Sequence, residues 1–94
     1  MTVLHIEHPV PNYDGWKKAF DSDPMNRKNS GVKKYRVYRS VSEPNHVAID
    51  LEFADYESAE NMLGALEILW QKVEGTIITG PKARLYEIIE TIEL

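Results

Sequence analysis

The chain reads as an α+β domain of order β-α-β-β-α-β, with one four-stranded antiparallel sheet carrying both helices on a single face. Three observations predict this. The segment HVAIDLEF, residues 46–53, alternates apolar and polar side chains without a break, which is the period of a half-buried strand. It follows VKKYRVYRSV across the turn signal SEPN, so the two segments form an antiparallel hairpin. Farther on, Ala59, Met62, Leu63, Leu66, Leu69, Trp70 and Val73 recur at three-to-four spacing, the apolar stripe of an amphipathic helix.

Val3 to His8 alternates as the first strand, and PVPN breaks it. Asn12 is a helix cap, and Tyr13, Trp16 and Phe20 form one aromatic stripe on a helix beginning at Tyr13 and ending near Asp21–Ser22. DPMNRKNSG reads as a second, short helical segment with Asp23 as cap, Pro24 in the first helical position and Gly31 as stop. Val32–Val41 is the second strand and His46–Phe53 the third. Asp55 caps the second helix, with Gly75 ending it. TIITGP is a loop or a brief extended piece, and ARLYEIIETIEL is the final strand. The arrangement is the ferredoxin-like, split βαβ one, as a single domain over residues 1–94.

Composition narrows the function classes. Without cysteine there is neither a disulfide framework nor a thiolate metal site, which fits a reducing cytoplasm. The alternating, charged segment MTVLHIEH lacks the apolar block of a signal peptide, and no apolar run reaches membrane-spanning length. A cytoplasmic protein with no membrane partner is expected. The formal net charge of −4 argues against nucleic acid. Charge is unevenly spread: residues 1–45 carry a net +3 and residues 46–94 a net −7. Two ordinary solvated surfaces explain this, as does a positive half-surface meeting a negative one across a subunit contact.

A helix-covered sheet needs one apolar face, supplied by Val47, Ile49, Leu51 and Phe53 together with Tyr35, Val37 and Val41, and by Leu4 and Ile6. The other face then holds Arg36, Tyr38 and Ser40 from the second strand, Ala48, Asp50 and Glu52 from the third, and His5 and Glu7 from the first. The hairpin sets Arg36 and Tyr38 opposite or diagonal to Asp50 and Glu52. Tyr86 and the aliphatic residues of the fourth strand widen this surface. A broad surface of that kind on a small domain calls for a partner.

The element order, the opening VLHIEHPVPNYDGW, the hairpin GVKKYRVYRSV…NHVAIDLEF and the helix SAENMLGALEILW resemble the dimeric α+β barrel superfamily, most closely its small antibiotic-biosynthesis-monooxygenase-like members. The resemblance runs over the whole chain and is one of pattern rather than of a single motif. It implies a homodimer whose two sheets pack face to face, with Asp50 and Glu52 looking into the barrel. It also implies a range of activities, from cofactor-free oxygenases of polyketide phenols to haem-degrading oxygenases, isomerases and non-catalytic relatives; the fold alone does not choose among them.

The residues narrow the choice. The haem-degrading members combine a strand-one asparagine, a helix-two tryptophan and a later histidine. Trp70 matches the tryptophan, but strand one offers His5, Glu7 and His8 instead, and no histidine follows His46. His5 and His8 fall on opposite faces of a strand, so HIEH is not a zinc motif, and no metal or cofactor is expected. TIITGP lacks the spacing of a phosphate cradle. His5, Asp50, Arg36 and Tyr38 form an acid/base set: His5 or Asp50 takes a phenolic or α-carbonyl proton, while Arg36 or Tyr38 holds the anion. Glu7, Glu52, Trp70 and Tyr86 are the ligand-binding candidates. The reading is a cofactor-independent monooxygenase or isomerase acting on an aromatic or polyketide-like ligand. The alternative is a non-catalytic dimer, for binding or assembly, whose barrel charges form a structural network.

One residue breaks its pattern. Ile68 lies on the side of the second helix away from the stripe, beside Glu57 and Glu60. Ile77 and Ile78 have no evident place in the core either. The TIITGP loop, or its copy from a second subunit, is therefore expected to fold over the outer side of that helix and cover Ile68.

Overall fold

The computed structural model describes residues 1–73 and 78–94. The elements are β1 (Thr2–Pro9), α1 (Tyr13–Asp21), β2 (Val32–Arg39), β3 (His46–Phe53), α2 (Tyr56–Val73) and β4 (Lys82–Glu87). They form one antiparallel sheet in the order β2-β3-β1-β4, the ferredoxin-like arrangement.

The caps work as the sequence implies. The Asn12 side chain accepts from the Gly15 amide at 2.9 Å, and Asp55 Oδ1 accepts from the Ser58 amide at 2.7 Å; each satisfies one orphan donor of a helix N-terminus. Strand parity then sorts the side chains. Leu4, Ile6, Val47, Ile49, Leu51 and Phe53 are buried on the helix side together with Trp16 of α1 and Ala59 and Met62 of α2. Leu63, Leu66, Trp70 and Val73 pack against that core while keeping part of their surface. At about 25 cal/mol per Å² of apolar area removed from water, this layer is the main source of the fold's stability.

Several expectations are corrected. DPMNRKNSG is a series of turns rather than a helix. Asp23 and Asn26 adopt positive φ values of 55° and 50°, which no continuing right-handed helix contains. The turn is held instead by the Asp23 side chain on the Arg27 amide at 2.9 Å and by Arg27 Nη1 donating to the Phe20 carbonyl at 2.8 Å. Gly31 does stop the segment, at a φ of 98°. β2 ends at Arg39, leaving Val41 in the following bend, fully exposed rather than in the core. Tyr35 faces the helices but is only half covered, because β2 is an edge strand.

β4 spans Lys82–Glu87 only. After the Ile88 amide bonds to the Met1 carbonyl at 3.0 Å, residues 89–94 make no backbone hydrogen bond to another described residue. Ile78 is 3 % exposed and enters the core beside β1, whereas Ile68 is 60 % exposed. Within this chain, Ile78 does not cover it. Ile77 and the Gly75 helix stop lie outside the described residues.

Candidate functional site

Two faces of one sheet hold two different constellations, both based on β1. On the face away from the helices, β1 lies between β3 and β4, with His5 paired to Asp50 on one side and to Arg84 on the other. His5 Nδ1 lies 2.6 Å from Asp50 Oδ1, and its Nε2 lies 3.0 Å from Glu7 Oε2. Both carboxylates accept, so the ring that satisfies both carries two protons. The Tyr38 hydroxyl donates to the second Asp50 oxygen at 2.9 Å, and His46 Nε2 lies 3.4 Å from the second Glu7 oxygen. The result is a chain of hydrogen bonds, Tyr38–Asp50–His5–Glu7–His46, running across three strands.

Burial works against the imidazolium of His5. Its hydrogen bonds to Glu7 and Asp50 outweigh that penalty, and its pKa is raised above 6.5. The bonds from His5 and His46 hold the Glu7 carboxyl below its ordinary range. The Asp50 carboxylate pushes the Tyr38 hydroxyl up, since it favours the protonated phenol.

Of the eight residues singled out from the sequence, seven share this face. His5, Asp50, Tyr38 and Glu7 are bonded into the chain. Glu52 pairs with Lys34 at 3.3 Å, and the Tyr86 ring meets His5 edge-on with centroids 6.2 Å apart. Arg36 stands directly across from Asp50, as the hairpin predicts, but forms no ion pair with it; the Asp50 oxygens are taken by His5 and Tyr38. His46 is the member sequence reasoning left out, although its parity with Ala48 and Asp50 marks it. Among the described residues, no group of three or more His, Asp or Glu is arranged to hold a metal ion.

Trp70, the eighth, is on the other side of the sheet. There α1, the 22–27 turns, α2 and Ile78 border a partly open cavity of about 300 Å³ against β1 and β3, lined by Trp16, Phe20, Leu66 and Trp70 among others. The eight candidates therefore do not form one site.

The polar groups of this cavity are few. Arg27 is committed to the Phe20 carbonyl and to Asp23, with its guanidinium 4.0 Å from the Phe20 ring centroid. His8 is 2 % exposed, and its ring meets Trp16 edge-on at 6.0 Å. Its Nδ1 donates to the Pro9 carbonyl at 3.1 Å. Burial pushes the His8 pKa down against that bond, so the ring is neutral and Nε2 is its unprotonated, accepting nitrogen. Among the described residues Nε2 has no hydrogen-bond partner, and no side-chain nitrogen is sealed from access without one. An accepting imidazole nitrogen at the wall of an apolar cavity is equipped to orient an acidic hydroxyl and to take its proton. Sequence reasoning passed over His8, although its parity with Leu4 and Ile6 places a lone histidine on the core-facing side of β1.

The sheet order and the helix-covered face are those of the ferredoxin-like fold. No protein-family model matches the chain, and no curated protein matches its sequence. Solved structures do match. SnoaB from Streptomyces nogalater, a cofactor-independent oxygenase, superposes with a TM-score of 0.78 at 11 % identity over 97 % of this chain and 95 % of its own. A single-substitution mutant of MhuD with two manganese protoporphyrin IX bound per active site gives 0.73 at 16 % identity over 99 % of each chain. A dimeric ferredoxin-like protein from an uncultured marine organism gives 0.67 at 14 % identity over 97 % of each. At these identities the likeness is one of fold. Among the described residues, no helix is long and apolar enough to cross a membrane.

Proposed function

We propose that the chain is a homodimer, joined through the sheet face opposite the helices, and that each protomer acts on a small aromatic, polyketide-like ligand in its helix-side cavity as a cofactor-independent monooxygenase. The observation that carries this reading is His8: a neutral imidazole with an uncommitted nitrogen at the wall of a mostly apolar cavity of about 300 Å³. Dioxygen is the co-substrate. Nε2 accepts the proton of an acidic ring hydroxyl, leaving an electron-rich phenolate and a His8 imidazolium. The phenolate passes one electron to dioxygen, and the resulting radical and superoxide combine at a ring carbon bearing hydrogen. The peroxide takes the proton back from His8, and the hydroperoxide loses water to leave a ring carbonyl. Substrate and dioxygen thus give quinone and water. Trp16, Trp70 and Leu66 supply apolar walls beside the anion. The fold shared with SnoaB, itself a cofactor-independent oxygenase, supports this class. The resemblance to a dimeric ferredoxin-like protein supports the dimer. The lack of cysteine fits a cytoplasmic setting.

Under this reading the Tyr38–Asp50–His5–Glu7–His46 chain faces the second subunit, where it orders the interface. A purely structural role for it has its own support, since each member already has a partner within the chain. The test uses electron-rich phenols and quinols, with oxygen uptake and ligand fluorescence as readouts. His8→Phe keeps the ring volume and removes the base. It should retain ligand binding and lose oxygen uptake by about 100-fold or more, the scale of a general base. Equal uptake by this variant and the wild type would overturn the role of His8. Binding that survives Leu66→Trp, which fills the cavity, would overturn the site.

A further inference from the structure

We propose that the hollow between β1 and β4 on the open sheet face is an anion site that holds a small doubly charged oxyanion, a phosphate group or a dicarboxylate. The hollow is built by one protomer; the argument that it is filled rests on the face-to-face dimer proposed above.

Strand parity assembles it. Lys82, Arg84 and Tyr86 occupy alternate positions of β4, and the register sets them beside Glu7, His5 and Val3 of β1. Their side chains therefore share a face with His5 and Glu7, and these five residues line a hollow of about 260 Å³. It lies on the opposite side of the sheet from the His8 cavity and shares no lining residue with it.

Its charges are not balanced within the chain. Lys82 and Arg84 form no ion pair among the described residues. The one acid in the hollow, Glu7, is already engaged, with its two oxygens turned to His5 and His46. His5 adds the charge of its imidazolium, although both of its ring nitrogens are committed. The uncommitted donors are the Arg84 guanidinium, the Lys82 ammonium and the Tyr86 hydroxyl. A guanidinium offers a planar fork of N–H groups matched to a carboxylate or phosphate edge, and an ammonium adds a point charge. The Tyr86 ring, edge-on to His5, gives the hollow one aromatic wall for the carbon skeleton of an organic anion.

A second copy does not supply the missing negative charge. By parity the acids of the open face are Glu7, Asp50 and Glu52. All three are taken, Asp50 by His5 and Tyr38 and Glu52 by Lys34. The cations of this face are Lys34, Arg36, Lys82, Arg84 and the His5 imidazolium. The face thus has a surplus of two positive charges, in a chain whose formal net charge is −4. A two-fold dimer presents the same patch from both sides, so facing sheets double the surplus instead of cancelling it. Charges withdrawn from water between two sheets need partners. One dianion in each hollow matches the surplus.

Titrations of the full chain with inorganic phosphate and with malonate, at pH 7 and constant ionic strength, test the site. Sodium chloride at matched ionic strength is the control for screening. Binding is followed by calorimetry and by the ring-proton signals of His5, and the dimer by light scattering. Saturation at one anion per protomer is expected, with a shift of the His5 signals and a tighter dimer. Arg84→Gln should weaken binding about tenfold or more, and Lys82→Gln several-fold. Both positions are exposed in the protomer, and circular dichroism should show both variants folded. Saturation by phosphate alone, by malonate alone or by both supports the site and sets its anion class. A response no larger than that to chloride overturns it, as does binding left unchanged by Arg84→Gln. A dimer without saturable binding removes the site and keeps the dimer. A monomer with Arg84-dependent binding keeps the site and removes the dimer.

Discussion

His5 Nδ1 and Asp50 Oδ1 lie 2.6 Å apart on adjacent, directly paired strands, and the opposite nitrogen of the same ring reaches Glu7 at 3.0 Å. An imidazole with a carboxylate on each side is a cation held in place, and this fixes the sign of its pH dependence. The folded-state pKa of His5 is raised above the ordinary 6.5. Its contribution to stability is therefore complete below pH 6.5 and is lost as pH rises through the folded value. His5→Gln should lower the melting temperature most at pH 5.5–6 and progressively less toward pH 9. The pair is partly solvated, so the loss at low pH is about 0.5–1 kcal/mol, a few degrees in a domain of this size. A gap that widens with pH would contradict the imidazolium.

Asp50→Asn tests the same pair from the other side. It leaves Tyr38 an acceptor and removes one of the two charges that hold the His5 proton. The His5 pKa, followed by NMR of the ring protons, should fall relative to the wild type. An unchanged His5 titration would mean that Glu7 alone holds the proton. Because Arg36 is not bonded to Asp50, the variant breaks no ion pair of that cation, and the protomer should remain folded.

His8, three residues along the same strand, behaves in the opposite sense. Burial lowers its pKa below 6.5, so the unfolded chain takes up a proton there that the folded chain resists. Stability on this account is lost as pH falls below 6.5. His8→Phe should therefore flatten the decline in melting temperature between pH 6.5 and 5, while His5→Gln steepens it. Parallel profiles for the two variants would refute the assignment of one histidine as charged and the other as neutral.

Strict strand parity is why the open face was legible. The period of two leaves no freedom once Val47, Ile49, Leu51 and Phe53 are assigned to the core, and Asp50 and Glu52 follow. His5 and Glu7 go with them when Leu4 and Ile6 lie under the helices. The cavity was not legible, because its walls come from β1, α1, the 22–27 turns and α2, and each wall residue looks like ordinary core in its own segment. His8 illustrates this: its parity is visible, but the void beside it depends on how Trp16, Leu66 and Trp70 meet. The 23–31 segment misled because Asp23 and Pro24 are also turn formers. The positive φ values of Asp23 and Asn26 decide for turns, and Arg27 reaching back to the Phe20 carbonyl holds them. The end of β4 misled because a strand persists only where a neighbour supplies hydrogen bonds, which a run of isoleucine and glutamate does not reveal.

Two glycines should respond to alanine with opposite signs. Gly31 enters β2 at a φ of 98°, and a Cβ there would stand 3.4 Å from the Ser58 Cβ of α2. Gly31→Ala should cost about 1–3 kcal/mol, from the backbone conformation first. Gly64 is exposed within α2, and a Cβ there meets nothing within 4 Å. Gly64→Ala should stabilise by about 0.5–1 kcal/mol. Chemical denaturation of the two variants side by side checks both; destabilisation by Gly64→Ala would show that this face of α2 is covered in the assembled protein.

Ile68 lies on that same helix, and its exposure decides the matter from the apolar side. It is 60 % exposed, and Ile78, which the sequence suggested as its cover, is buried elsewhere in the core. An isoleucine left in water gains little from staying apolar. Ile68→Lys should therefore change stability by no more than about 0.5 kcal/mol, and the dimer should persist in light scattering. Phe53→Ala, at a position with no exposure, provides the scale for a buried side chain, with an expected loss of about 3–5 kcal/mol. A loss of about 1.5–3 kcal/mol for Ile68→Lys would match the transfer energy of a buried aliphatic side chain. Since Ile78 is committed to the core, such a loss, appearing only at concentrations where the dimer forms, would place a segment of the second subunit over α2.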